Sequence, residues 1–137
     1  MLLLDTHVWL WAVSPSSRLG RKASRMIEQA AARDQLRVSA ASVFEVSMLM
    51  ASGRVRLSVP ANEWVDGALG TPGIRLAELT VAIAVDAGQI SRTVLADPMD
   101  RVLAATARRL DASLVTADRA LLAFAKATHL RAVNAAL

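Results

Sequence analysis

Short apolar runs alternate with longer amphipathic stretches along the whole chain, a pattern that predicts a parallel sheet with helices on both faces. The apolar runs place strands at 1–5, 36–40, 74–78, 113–116 and 130–133. Stretches with helical spacing of apolar residues place helices at 6–13, 17–33, 41–52, 61–69, 80–91, 98–110 and 119–127. Asp97 followed by Pro98 has the residue types favoured at a helix N-cap and first turn. Pro60 and the stretch GALGTPG, with Gly67, Gly70, Pro72 and Gly73, punctuate the middle of the chain. The spacing is not GxGxxG after a strand, and there is no Walker A sequence, so no nucleotide-cradling loop is expected. The fold class is therefore α/β, with a central, mainly parallel sheet of about five strands between two helical layers. At 137 residues, with no linker or repeat dividing it, the chain suits one domain over 1–137.

Composition narrows the setting. Hydrophobic residues make up 54% of the chain, yet the longest unbroken apolar runs, VWLWAV and ALLAFA, fall far short of the roughly 20 residues of a membrane span. No membrane association is expected. The start MLLLDTHVWLWAV has no cationic leader region and reads as a strand entering a helix, so a cytoplasmic location follows. The absence of cysteine excludes disulfides and thiolate zinc sites. Net charge is +4, and if four of the twelve acids hold a cation, eight remain against sixteen Arg and Lys, an excess of about +8. That balance favours a polyanionic partner. Arg18, Arg21, Lys22 and Arg25 fall at helical spacing, with Arg54, Arg56, Arg108 and Arg109 elsewhere; each cluster alone reads equally well as a solvated face.

Four acids stand where burial alone would not put them: Asp5 closing MLLLD, Glu45 inside SVFEVSMLM, Asp100 opening DRVLAATARRL, and Asp118 two residues past SLVT. Buried carboxylates need partners, and a hard cation serves several at once. Helix capping is the competing reading. Asp5, Asp97 and Asp118 each precede a predicted helix, and Asp100 then falls at the third helical position, near a favourable dipole end. Glu45 resists that reading, because Ala41, Ser42, Met48 and Leu49, three and four residues away, form a mainly apolar stripe that turns it inward. Asp5 and Asp118 follow strands, and the carboxyl ends of strands in open α/β sheets form the ligand crevice.

In that order, LLLDTHVWLW, SAASVFEVSMLMASGRVRL, DPMDRVLAATA and LVTAD resemble the PIN domain, and more narrowly the VapC-type toxin ribonucleases of bacterial toxin–antitoxin pairs. The resemblance covers nearly the whole chain and implies a PIN-like three-layer α/β/α sandwich. It implies metal-ligand and catalytic roles for Asp5, Glu45, Asp100 and Asp118, holding Mg²⁺ or Mn²⁺, with Thr6 and Thr116 as supporting hydroxyls and Asp97 as an accessory acid. It also implies endonucleolytic cleavage of RNA to a 5′-phosphate and a 3′-hydroxyl, a cognate VapB-like antitoxin, and a homodimer. Carboxylate-held cations suit that chemistry, because they make water nucleophilic at neutral pH and compensate charge on the reacting phosphate. Two positions depart from the pattern. Leu95-Ala96 stand where the subgroup often carries His-Arg, and Phe44 replaces the usual Trp before the helical Glu, a swap that predicts an aromatic core anchor.

The remaining candidates carry less. Arg101 either meets a phosphate or pairs with a carboxylate. His7, two residues past Asp5, is a structural residue or a minor substrate contact, and His129 is structural. Trp9, Trp11 and Trp64 are core or interface residues. A phospho-receiver would need an acidic pair after the first strand, and a DxD phosphatase an acid where His7 stands, so both are disfavoured. A housekeeping RNA-processing nuclease without antitoxin, and a non-catalytic binding module of the same fold, remain as alternatives.

Overall fold

The computed structural model of the protein describes residues 1–14 and 16–137. Five strands, β1 (Leu2–Leu4), β2 (Leu36–Ser39), β3 (Ile74–Ala77), β4 (Ser113–Thr116) and β5 (Ala132–Asn134), form one sheet in the order β3-β2-β1-β4-β5. Every neighbouring pair is parallel. Seven helices fill the intervals: α1 (Thr6–Val13), α2 (Arg21–Ala32), α3 (Ala40–Ala51), α4 (Ala61–Leu69), α5 (Val81–Gln89), α6 (Pro98–Leu110) and α7 (Arg119–Thr128).

Both faces of the sheet are covered, which explains why its strands are apolar without alternation. Leu2 and Leu4 enter a core with Val8, Trp9, Ile27 and Val46, contributed by α1, α2 and α3. Leu3, pointing the opposite way, enters a second core with Leu95, Leu103, Leu121 and Phe124 from the side of α6 and α7. The α/β/α layering expected from the apolar pattern is thus the observed one. Each fully buried large side chain contributes about 1.5–3 kcal/mol. Trp9 is buried and meets Trp64 edge-on, with ring centroids 4.9 Å apart. Leu95 spends its side chain on packing, which accounts for an apolar residue before the Asp97-Pro98 helix start.

Two boundaries differ from expectation for tertiary reasons. The second helix begins at Arg21 rather than at 17, so Arg18 lies outside it and the four basic residues do not share one helix. Gly20 is its N-cap, and its amide donates to the carbonyl of Ala135 at 2.8 Å. A Cβ at Gly20 would sit 2.1 Å from the Leu137 carbonyl oxygen, so contact with a distant segment sets where the helix starts. The last strand runs 132–134 rather than 130–133, because α7 extends to Thr128 and closes on His129 in the left-handed conformation, φ 60°. Arg108 lies over the Phe124 ring and Arg109 pairs with Asp86, so these two cations serve packing of the fold.

Candidate functional site

From β1 the chain builds outward through β2 and β3 on one side, then returns to build β4 and β5 on the other. The boundary between β1 and β4 is therefore the switch point of the sheet, the place where open α/β sheets form their ligand crevice at the carboxyl ends of the strands. Asp5 follows β1 directly and Asp118 follows β4 by two residues.

Asp5 is buried, and both its oxygens are engaged. One accepts from the Thr6 amide at 2.6 Å, capping α1, and the other accepts from the Thr116 hydroxyl at 2.6 Å. The same Thr116 oxygen accepts from the Asp118 amide at 3.0 Å. Asp118, exposed, caps α7 by accepting from the Leu121 amide at 3.0 Å. One threonine hydroxyl thus fixes both acids flanking the switch point. Across the crevice, Asp97 caps α6 through the Met99 amide at 2.9 Å. Asp100 occupies the first turn of α6 and is half-buried, as is Glu45 in the middle of α3.

Electrostatics show which acids share a neighbourhood. Burial is the largest cause that pushes Asp100 up to about 7, and the charges of Asp97, Asp118, Asp5 and Glu45 push in the same direction. Asp5 is also raised, chiefly by burial, against the lowering effect of its bonds from Thr116 and Thr6 and of nearby His7; the Asp118 charge raises it further. The ion pairs among the described residues, Arg75 with Asp34, Arg109 with Asp86 and Arg131 with Asp111, all lie elsewhere. Among the described residues none of the four acids, Asp5, Glu45, Asp100 and Asp118, is in an ion pair. An all-oxygen donor set of this kind fits a hard divalent cation. Among the described residues, however, no three of these side chains close into a finished ligand group. Two like charges at 4 Å repel by about 4 kcal/mol at an effective dielectric of 20, a cost that a bound cation would offset.

Thr6 and Thr116 are both buried and hydrogen-bonded within the site. Thr6 donates its hydroxyl to Ser42 of α3 at 2.9 Å, a residue that sequence reasoning used only as part of the stripe around Glu45. His7 is exposed in the first turn of α1, its ring 6.3 Å from that of Trp11. Arg101 makes no ion pair among the described residues; one terminal nitrogen donates to the Ala96 carbonyl at 3.5 Å, while Nε is buried without a partner. Its side chain lines an apolar groove with Leu79, Ala87, Pro98 and Val102.

Phe44 is not a core anchor: it is 58% exposed. Successive helical side chains turn by about 100°. With Ala41, Ser42, Val46 and Leu49 buried, Phe44 and Met48 fall together on the outer stripe of α3. Phe44 instead lines a second apolar groove with Ala41, Leu79, Met99 and Val102; two of these, Phe44 and Met99, immediately precede Glu45 and Asp100 in the chain.

Comparison with known proteins agrees with this layout. The sequence signature of the PIN domain matches residues 2–127. Ribonuclease VapC22 of Mycobacterium tuberculosis is 35% identical over 120 residues, which are 88% of each chain. Among solved structures, VapBC2 from Rickettsia felis bound to a DNA fragment from their promoter superposes with a TM-score of 0.68 at 18% identity, over 97% of each chain. A toxin–antitoxin complex from Klebsiella pneumoniae superposes with a TM-score of 0.60 at 18% identity, over 86% of this chain and 87% of that one. At such identities the structural likeness speaks to the fold.

Proposed function

Because the chain belongs to the PIN-domain family, we propose that it is a divalent-metal-dependent endoribonuclease, a single domain acting in the cytoplasm as the toxin of a type II toxin–antitoxin pair. The observation that carries this reading is the set of carboxylates around Asp100 at the sheet's switch point, in no ion pair among the described residues. The family name and the relative called a ribonuclease supply the reaction class.

In this reading Asp5, Glu45, Asp100 and Asp118 hold Mg²⁺ or Mn²⁺ and form the catalytic set. The cation supplies Lewis-acid polarisation of the phosphodiester and compensation for its developing charge. The chain's own residues supply placement. Thr116 holds the Asp5 carboxylate in one orientation and the Asp118 backbone beside it. Thr6 presents its amide to the other Asp5 oxygen. Asp97 adds negative charge beside Asp100 and starts the helix that carries it. Arg101, whose Nε is buried but which makes no ion pair among the described residues, takes a phosphate oxygen of the RNA backbone through its terminal guanidinium nitrogens, and His7 contacts substrate from the exposed rim. The net charge of +4 suits a polyanionic substrate.

The partner follows from the same surface. The groove of Ala41, Phe44, Leu79, Met99 and Val102 is lined by the chain neighbours of Glu45 and Asp100, so a VapB-like antitoxin that places apolar residues in it and a basic side chain over the acids would block the site. The toxin itself is taken as a homodimer. The deciding test is cleavage of a structured RNA by the purified protein. Hydrolysis is expected with Mg²⁺ or Mn²⁺, to stop with chelator, and to be lost in Asp5→Asn and Asp100→Asn; cleavage that persists in chelator would remove the metal from the reading.

A further inference from the structure

Ser42 is a buried hydroxyl bonded to the site residue Thr6 that has no place in the scheme above. It lies in the first turn of α3, 1% exposed, one helical turn before Glu45. It is not the helix cap, because Ser39 performs that task by accepting from the Ala41 amide at 3.0 Å. In the first turn of α3 it has no helical carbonyl four residues earlier to bond back to, since Val38 lies in β2, whereas Ser47, Thr106 and Thr128, farther into their helices, do bond back in that way at 2.7–2.8 Å. Ser42 instead accepts from the Thr6 hydroxyl at 2.9 Å, its single hydrogen bond among the described residues.

That bond completes a chain across three elements. The Asp118 amide bonds to Thr116, Thr116 to Asp5, and Asp5 to the Thr6 amide; the Thr6 hydroxyl then crosses to α3. Glu45 itself has no hydrogen bond tying it to Asp5 among the described residues. The polar link between the helix that carries Glu45 and the strand end that carries Asp5 therefore runs through Ser42 and Thr6.

We propose that Ser42 is a positioning residue, which locks α3 against the start of α1 and so fixes Glu45 relative to Asp5 for joint binding of a divalent cation. The inference rests on the metal-site reading given above. Residues that orient metal ligands typically change affinity by 10–100-fold when lost. Ser42→Ala keeps a good helix former at the position while removing the acceptor; Ser42→Thr keeps the hydroxyl.

The test is direct binding of Mn²⁺ to the purified full chain, followed by the electron paramagnetic resonance signal of free ion, with melting in chelator as the control for folding. Ser42→Ala is expected to weaken Mn²⁺ binding about 10-fold, while RNA cleavage at saturating Mn²⁺ stays near the wild-type rate. Ser42→Thr is expected to bind within about threefold of wild type, since a hydroxyl of similar reach is retained. The proposal is overturned if Ser42→Ala binds Mn²⁺ like wild type, or if Ser42→Thr fails as Ala does, which would make the position one of packing alone. Asp5→Asn separates the two layers of the argument. Loss of Mn²⁺ binding in Asp5→Asn with none in Ser42→Ala rejects the Ser42 role alone. A wild-type protein that binds no Mn²⁺ rejects both.

Discussion

Replacing Asp100 by Asn tests the crowding of charge in the crevice, because the side chain keeps its shape and loses its charge. The Asp100 carboxyl is pushed from the ordinary 3.8 to about 7 by burial and by four neighbouring acids. At about 1.4 kcal/mol per pK unit, a shift of roughly three units corresponds to about 4 kcal/mol. Asp100 is only half-buried, and solvent screening reduces this to about 2 kcal/mol. Against it stands the loss of a favourable charge in the first turn of α6, worth about 0.5 kcal/mol. The cost of the charged form, from burial first and the neighbouring acids second, exceeds that loss by about 1.5 kcal/mol. The sign in pH follows: a carboxyl with a raised folded pKa stabilises the fold fully below about 4, and that stability is lost as pH rises to about 7. In chelator at pH 7.5 the mutant should melt about 5 °C above wild type, given roughly 3–4 °C per kcal/mol for a chain of this length. At pH 5, where only part of the penalty has accrued, the two should nearly coincide. Mg²⁺ at 100 times its dissociation constant would stabilise the wild type by about 2.7 kcal/mol, and this gain should shrink in the mutant. A mutant that melts lower in chelator at pH 7.5, or whose offset is the same at pH 5, would show that Asp100 is a helix-start residue and no more.

Other outcomes are equally concrete. Thr116→Val leaves the Asp5 oxygen and the Asp118 amide short of a partner, so stability should fall by about 1–3 kcal/mol in denaturant titration, and a wild-type value would mean that water replaces the hydroxyl without loss. Gly73→Ala should destabilise by 2 kcal/mol or more, on the order of a strained backbone position with a clash: Gly73 has φ 88° and a Cβ there would lie 2.3 Å from the Ala31 carbonyl oxygen. Cleavage at limiting Mg²⁺ should decline as pH falls below about 7, since protonated Asp100 competes with the cation, and excess Mg²⁺ should move the midpoint lower. Co-expression with the product of an adjacent short open reading frame should yield a stable complex with suppressed cleavage, and Phe44→Ser, which removes the apolar ring without adding charge, should weaken that complex while leaving cleavage by the free toxin intact.

The parts of the fold legible in the sequence are those governed by local rules. Asp97-Pro98 announces α6, and the apolar runs announce five strands whose two faces both face helices. The misplaced start of α2 depends on Gly20 meeting Leu137, a contact between residues that are distant in the chain. Phe44 was misplaced for a different reason: an aromatic residue beside Glu45 fits the family pattern, but helical rotation that turns Glu45 toward the crevice turns its neighbour out. Ser42 reads as an unremarkable small residue in SAASVFE. Its bond partner, Thr6, is separated from it by 36 positions, and nothing local in the sequence links them.

Capping and metal holding looked like competing explanations for Asp5, Asp97 and Asp118, yet the fold makes one the condition of the other. In a parallel sheet a strand hands over to a helix at its carboxyl end, as β1 does to α1 and β4 to α7, while α6, which follows α5, starts at that same end because it runs back into β4. Asp5 starts α1, Asp118 starts α7 and Asp97 starts α6, each through a backbone amide. The positive ends of those helices lower the cost of holding carboxylates there. They do not remove it, as the raised pKa values of Asp5 and Asp100 show. A cap needs only one carboxylate oxygen. Asp118 and Asp97 each use a single oxygen for this, and among the described residues their second oxygens accept no hydrogen bond, whereas Asp5 has both engaged and depends on Thr116 and Thr6 for its orientation. Asn is comparable to Asp as an N-cap, which is why Asn replacements, rather than Ala, separate the charge of these residues from their place in the fold.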